Sequence, residues 1–121
     1  MELKNKVAII TGASSGIGRA VAQNLNQAGL KFVLTGRRVD RLKELKNELD
    51  FAEIIAGDIT NPDLPDKLIK TALENFSRCD IVFNNAGVIN MGTIEEISVE
   101  DICYMVRVNV EAAYRMAYVA L

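Results

Sequence analysis

Three glycines, Gly12, Gly16 and Gly18, lie within seven residues, directly after the apolar run at residues 7–10. A glycine-rich turn from a strand into a helix brings backbone N–H groups and the positive end of the helix to one place, where an anion can bind. Gly12 would allow the tight turn, Gly16 the close approach of a phosphate, and Gly18 the close packing of helix on strand. The spacing therefore indicates a pyrophosphate site, although the same glycines could serve the turn alone.

Polar residues also follow the third and fourth apolar runs of the chain. Asp58 comes just after the run at residues 51–56, and the segment 84–87, Asn-Asn-Ala-Gly, ends the run that begins at residue 80. Ligands of open α/β sheets bind at the carboxyl ends of the strands, so both segments are candidates for one site. Asp58 could instead begin the turn at residues 60–62, and segment 84–87 is equally typical of an ordinary loop.

Arg37 and Arg38 follow the second apolar run, where an acidic residue would accept hydrogen bonds from a ribose 2′-hydroxyl. No acid occupies this place, and two guanidinium groups can bind a 2′-phosphate. Cations at the start of a helix also oppose the helix dipole, which indicates that an anion belongs beside them. The pair therefore favours NADP(H) over NAD(H) as the cofactor, and solvated surface charge is the alternative.

Asn109 lies in the last amphipathic segment, seven residues after Ile102 and on the same helical face as Val106 and Ala113. This position puts a polar amide inside an apolar stripe, where an unpaired buried amide costs about 1–3 kcal/mol. We therefore expect Asn109 to be buried and to have a hydrogen-bond partner. The pattern equally allows a local hydrogen bond that distorts the helix.

Short apolar runs that alternate with longer amphipathic segments position these residues. The runs predict strands at residues 7–11, 32–36, 51–56 and 80–84, and the segments predict helices at 17–28, 39–49 and 63–76. A fourth helix begins at Ser98, because Ser98 and Asp101 have the spacing of a capping box. This order predicts a doubly wound, Rossmann-type α/β fold with a parallel sheet and right-handed crossovers.

The last helix and the fourth strand both indicate an incomplete sheet. Apolar residues recur at helical spacing up to the end of the chain, at Val99, Ile102, Val106, Val110, Ala113, Met116, Ala117 and Ala120. No Gly, Lys or Arg closes this helix, and the apolar strand at 80–84 would make an awkward sheet edge. We therefore interpret residues 1–121 as a single domain that is cut within the fourth helix.

The composition excludes several functional classes. The chain has 121 residues, 14 basic and 16 acidic, and its net charge of −2 gives no electrostatic case for nucleic acid or an anionic membrane as partner. Histidine is absent, which removes Ser-His-Asp and Cys-His hydrolases, and the two cysteines lack metal-ligand spacing, so we predict no metal site. The first apolar run is too short for a signal peptide core or a membrane span, so a cytoplasmic location is expected.

Four motifs, in order, resemble the N-terminal half of the short-chain dehydrogenase/reductase family. Residues 11–18, Thr-Gly-Ala-Ser-Ser-Gly-Ile-Gly, are similar to the family's TGxxxGIG, and residues 84–87 to its NNAG. Asp58 with Ile59 matches the adenine-contacting Asp, and Asn109 matches the Asn of helix four. The resemblance covers essentially the whole chain.

The resemblance implies a role for each matching residue. It assigns cofactor binding to the glycine-rich segment, namely Gly12, Ala13, Ser14, Ser15, Gly16, Ile17 and Gly18. It further assigns Asp58 and Ile59 to the adenine, and Val108 to the cofactor pocket. The residues that it places on the ribose side of the cofactor are Asn85, Ala86 and Gly87. In the same family pattern Asn84 ties strands together, and Asn109 holds a water that relays protons to the catalytic lysine.

The resemblance also implies hydride transfer between NADP(H) and a small carbonyl or alcohol substrate, in a homo-oligomer formed through the helix from Ser98. The family's catalytic Ser and Tyr-x-x-x-Lys would lie beyond Leu121, and Tyr104, Tyr114 and Tyr118 have no lysine four residues later. We therefore predict a cofactor-binding half that is inactive alone. A non-catalytic dinucleotide-binding or interaction module is one alternative, and an epimerase or dehydratase of the related extended fold is another. That second group tends to have TGxxGxxG, which this chain does not match.

Overall fold

The computed structural model describes residues 2–14, 16–89 and 91–121. Four strands alternate with three helices: β1 (Val7–Ile10), α1 (Gly16–Asn26), β2 (Lys31–Gly36), α2 (Val39–Glu48), β3 (Ala52–Ala56), α3 (Leu64–Phe76) and β4 (Ile81–Phe83). The chain then forms α4 (Val99–Val106), a π-helical segment (Arg107–Ala112) and α5 (Ala113–Ala120). These bounds match the predicted elements within a few residues, except in the last helix.

The four strands form one parallel sheet in the order β3-β2-β1-β4. Ile9 pairs with Val33 on one side and with Val82 on the other, so the carboxyl ends of these strands lie at the same edge. Loops that leave this edge are therefore neighbours in space although they are distant in sequence. β4 pairs only with β1 and is an edge strand of the described sheet.

Helices cover both faces of the sheet because successive residues of a strand point to opposite faces. Ala8 and Ile10 pack on one face with buried residues of α1 and α2, whereas Val7 and Ile9 pack on the other with buried residues of α3 and α5. All four residues of β1 are fully buried. The predicted doubly wound α/β fold is confirmed.

The start of α4 follows from its first turn. The Ser98 side chain accepts a hydrogen bond from the Asp101 backbone N–H at 3.1 Å, which satisfies one of the free donors at the helix start. The predicted cap is confirmed.

No helix of the described residues combines the length and the apolar character that a bilayer crossing requires.

The rest of the last helix differs from the prediction of one continuous α-helix. Hydrogen bonds of a π-helix run between residues five apart, so each turn holds more residues than an α-helical turn. Val108, Ala112 and Met116, which are spaced by four, are the buried residues here. Of the apolar residues that recur at helical spacing in the sequence, from Val99 to Ala120, only Met116 is buried. Most of the predicted apolar residues face away from the sheet, and those of α4, which precede the π-helical segment, are all exposed.

Candidate cofactor-binding site

The loop after β1 turns sharply beside the loop after β4. Gly12 has φ of +63°, and a Cβ on it would lie 2.9 Å from the Ala86 Cα. A Cβ on Gly18 would lie 2.6 Å from the Asn85 Nδ2 and 2.7 Å from the Gly12 carbonyl oxygen. Both positions therefore require glycine, Gly12 for its backbone conformation and Gly18 for the close approach of α1.

A buried hydroxyl holds these two loops together. The Thr11 Oγ1 accepts hydrogen bonds from the backbone N–H groups of Asn85 at 3.0 Å and Ala86 at 2.9 Å. The Asn85 side chain returns a hydrogen bond to the Gly12 carbonyl oxygen at 3.1 Å. Segment 84–87 is thus a loop that hydrogen bonds hold against the turn after β1.

A cleft of about 230 Å³ lies at the carboxyl edge of the sheet. Ten predicted cofactor-binding residues line it: Gly12, Ser14, Arg37, Arg38, Asp58, Ile59, Asn85, Ala86, Gly87 and Val108. Thr35, Gly36, Gly57, Val88 and Tyr104 line it as well. Pockets for drug-sized ligands typically hold roughly 300–1,000 Å³, so this cleft can enclose one end of a dinucleotide.

Several predicted residues lie outside the lining of this cleft. Ala13 is fully buried, and its backbone N–H donates to the Thr35 carbonyl oxygen at 3.0 Å, so it anchors the loop to β2. Gly16 and Ile17 are exposed at the start of α1, and Gly18 is buried beneath the loop. Ser15 lies outside the described residues.

Asp58 is held by three hydrogen bonds. Its Oδ1 accepts from the Thr60 backbone N–H at 2.9 Å and from the Thr60 hydroxyl at 2.7 Å, and its Oδ2 accepts from the Tyr104 hydroxyl at 3.1 Å. Partial burial alone would raise the pKa of Asp58, but these bonds and the nearby Arg37 charge outweigh it and hold the pKa below its usual value. Asp58 therefore begins the turn, as the alternative interpretation stated, and also presents a fixed carboxylate to the cleft.

Arg37 and Arg38 reach the cleft from the end of β2. Arg37 donates to the Tyr104 hydroxyl at 3.3 Å, while the Arg38 side chain makes no hydrogen bond or ion pair with the described residues. Arg38 is also the N-cap residue of α2, with no side-chain cap bond. A cation at a helix start without an acidic partner is suited to an anionic ligand.

Tyr104 is a site residue that the sequence analysis missed. It lies four positions before Val108, a residue the resemblance assigns to the cofactor pocket, and this helical spacing was the available signal. Burial, the neighbouring Asp58 charge and the hydrogen bond to that carboxylate raise the pKa of the Tyr104 phenol. Its hydroxyl therefore stays protonated and serves as a hydrogen-bond donor.

Asn109 departs from its predicted environment, because its side chain is exposed rather than buried. Its Oδ1 accepts from the Val88 backbone N–H at 2.9 Å, and its Nδ2 donates to the Val88 carbonyl oxygen at 2.7 Å. The expected partner thus exists, but it belongs to the loop after β4 and not to the helix itself. The π-helical segment turns Asn109 out of the apolar packing and onto this loop.

Asn84 also departs from its predicted role. Its side chain donates to the Ala113 carbonyl oxygen at 3.1 Å, so it ties the end of β4 to α5. The interpretation that Asn84 ties strands together is wrong for the described sheet. Two amides, Asn84 and Asn109, thus fasten the end of β4 to the last helix.

Comparison with protein families agrees with this arrangement. The family model for short chain dehydrogenases matches residues 6–121. The chain belongs to the short-chain dehydrogenase family. The predicted family membership, and with it the resemblance to this oxidoreductase family, is confirmed.

Individual members of the family resemble the chain over nearly its whole length. An oxidoreductase of Staphylococcus aureus, described as uncharacterized, is 39% identical over 98% of the chain, which covers 52% of that protein. A short-chain dehydrogenase/reductase structure from Brucella melitensis is 26% identical and superimposes with a TM-score of 0.93. The superposition covers 98% of this chain and 50% of the Brucella chain.

A metagenomic short-chain oxidoreductase, solved in complex with NADP, is 32% identical to the chain and superimposes with a TM-score of 0.88. The superposition covers 98% of this chain and 56% of the metagenomic chain. The chain thus spans about half the length of the relatives it matches. The cut within the fourth helix and the single domain stay predictions.

Proposed function

We propose that the chain is the cofactor-binding half of an NADP(H)-dependent oxidoreductase that acts on a carbonyl or alcohol substrate. The observation that carries this proposal is the cleft in which Arg37, Arg38 and Asp58 face the glycine-rich loop. NADP(H), when bound, supplies or accepts the hydride. The cytoplasmic location stays a prediction.

The residues present fit this cofactor. A Cβ on Gly12 or Gly18 would collide with protein atoms, whereas Gly16, with φ of +62° and open space where a Cβ would lie, leaves its backbone accessible to a diphosphate. Arg37 and Arg38 supply guanidinium donors for a 2′-phosphate, and Asp58 is an ionised acceptor for an adenine amino group. The NADP complex of the metagenomic relative supports the same choice of cofactor.

Asn109 retains its proposed role beside the catalytic chemistry, as a holder of water in a proton relay. Its two hydrogen bonds to Val88 fix the loop that lines the cleft, so Asn109 also positions residues 85–88.

Replacing Gly18 with valine should weaken NADPH binding to the intact protein by at least about 10-fold. The added Cβ would meet the Asn85 side chain and the Gly12 carbonyl, and overpacking of this kind costs about 1–3 kcal/mol. The increase in NADPH fluorescence on binding measures the dissociation constant, and thermal unfolding measures the fold in parallel.

Ala20→Val is the matched control, because Ala20 is exposed on the same helix and lies outside the cleft. This variant should bind NADPH as the unaltered protein does. Unchanged NADPH affinity in a folded Gly18→Val variant would show that the glycine-rich loop does not hold the cofactor.

We further propose that the chain forms a homo-oligomer through the helix that begins at Ser98, with contacts from α4 and the π-helical segment that follows it. Val99, Val106 and Val110 expose 70%, 53% and 59% of their surface. Side chains of this kind in one contiguous patch are typical of an interaction surface. A second copy that presents the same apolar patch would cover it symmetrically.

Val106→Lys should therefore shift the protein towards the monomer in sedimentation velocity runs over a range of concentrations. A lysine at this position would place its charge inside the shared apolar surface and oppose association. Asn47→Lys, on the exposed surface of α2, adds the same charge elsewhere and should leave the distribution unchanged. A monodisperse monomer before any substitution would overturn the proposal.

A further inference from the structure

Tyr104 lies at the cleft between the residues proposed to recognise the two parts of the adenosine phosphate. Its hydroxyl donates to the Asp58 Oδ2 at 3.1 Å and accepts from the Arg37 Nη1 at 3.3 Å. Arg37 follows β2, Asp58 follows β3 and Tyr104 belongs to α4. One hydroxyl therefore joins three segments of the chain at a single point.

The charges of the two partners give these hydrogen bonds a direction. Arg37 donates to the phenol, and the phenol donates to a carboxylate that is ionised at neutral pH. Hydrogen bonds that involve ionised groups are stronger than bonds between neutral groups. The phenol is itself a neutral donor, because its pKa is raised. The Tyr104 hydroxyl therefore uses its hydrogen as the donor to Asp58 and one lone pair as the acceptor from Arg37.

The hydroxyl also separates two opposite charges. The Arg37 side chain is exposed and makes no second hydrogen bond to the described residues. Without the hydroxyl, the Arg37 guanidinium would be free to move into solvent or to pair directly with Asp58, whose charge it already senses. Either movement would withdraw Arg37 from a phosphate in the cleft.

We propose that Tyr104 is a positioning residue that holds Arg37 in the orientation needed to bind a 2′-phosphate, and so helps to set the preference for the phosphorylated nucleotide. The inference rests on the proposed NADP(H) specificity. With Nη1 directed to the tyrosine, the remaining guanidinium donors of Arg37 are available to the ligand. Arg38 has no such link and contributes independently of Tyr104.

Tyr104→Phe tests this inference, because phenylalanine retains the ring and removes only the hydroxyl. Dissociation constants of 2′,5′-ADP and 5′-ADP are measured by calorimetry on the intact protein, and their ratio is compared between variants. We expect the preference for 2′,5′-ADP to fall by about 3- to 10-fold, as for the loss of one hydrogen bond. Affinity for 5′-ADP should change little.

A second comparison separates positioning from a general structural effect. In an Arg37→Ala background, Tyr104→Phe should leave the ratio unchanged, because the tyrosine acts through Arg37. Tyr114→Phe is the matched control, since Tyr114 is 78% exposed and lies outside the cleft, and it should retain the full preference.

The possible results are distinguishable. Equal affinities of the unaltered protein for the two ligands would overturn both the NADP(H) specificity and this inference. A clear preference that survives Tyr104→Phe would overturn this inference alone. An equal loss of affinity for both ligands, or the same fall in the ratio with and without Arg37, would show that the tyrosine only shapes the pocket and would also overturn it.

Discussion

Replacing both Arg37 and Arg38 with alanine is expected to erase most of a 10- to 100-fold preference for 2′,5′-ADP over 5′-ADP. This estimate follows from hydrogen bonds to charged groups, which contribute about 1.5–3 kcal/mol. Both guanidinium groups line the cleft, and no acidic residue competes for a ribose hydroxyl at the end of β2. Calorimetric titration of the two ligands gives the ratio directly.

The remaining affinity should come from the glycine-rich loop, which the two substitutions leave intact. The preference of the unaltered protein should also shrink as salt rises, because mobile ions screen exposed charges. Arg41→Ala combined with Lys43→Ala removes the same net charge from the exposed surface of α2 and should leave the ratio unchanged. If the arginine variant keeps its preference, Arg37 and Arg38 are ordinary surface charge.

The purified 121-residue chain is expected to show no measurable NADP(H)-dependent carbonyl reductase or alcohol dehydrogenase activity. The family resemblance implies a tyrosine of lowered pKa as the proton donor or acceptor, and a positioned group of this kind contributes about 10²–10⁴ in rate. Tyr104 has a raised pKa and is bound to Asp58, and Tyr118 is 75% exposed on the outer surface of α5. Tyr104 and Tyr114 are followed four residues later by Val108 and Tyr118, so neither has a lysine at that spacing.

Absorbance of NADPH at increasing chain concentration measures this activity over a panel of aldehydes and ketones. Binding of 2′,5′-ADP by the same sample shows that the cleft is formed, so that a lack of turnover reflects the chemistry and not unfolding. Turnover that rises in proportion to chain concentration would contradict the prediction and point to an acid or base within these residues.

The positions of the strands and helices could be predicted because each depends on residues close in sequence. β1 is an unbroken apolar run, as a strand covered on both faces requires. The start of α4 is marked by a hydrogen bond between Ser98 and Asp101, which are only three positions apart. The parallel sheet then follows from the alternation of strands and helices. Residues that directly follow strands, such as Arg37, Asp58 and Asn85, inherit their place at one edge from this topology alone.

The tertiary structure decided the features that depend on contacts between distant segments. The Asn109 amide binds Val88, 21 positions earlier, and the π-helical segment changes which residues of the last helix are buried. Tyr104 meets Asp58 and Arg37 across 46 and 67 positions. Local periodicity carries no information about such pairs, because the distance between two side chains is fixed only when the strands and helices that hold them pack together.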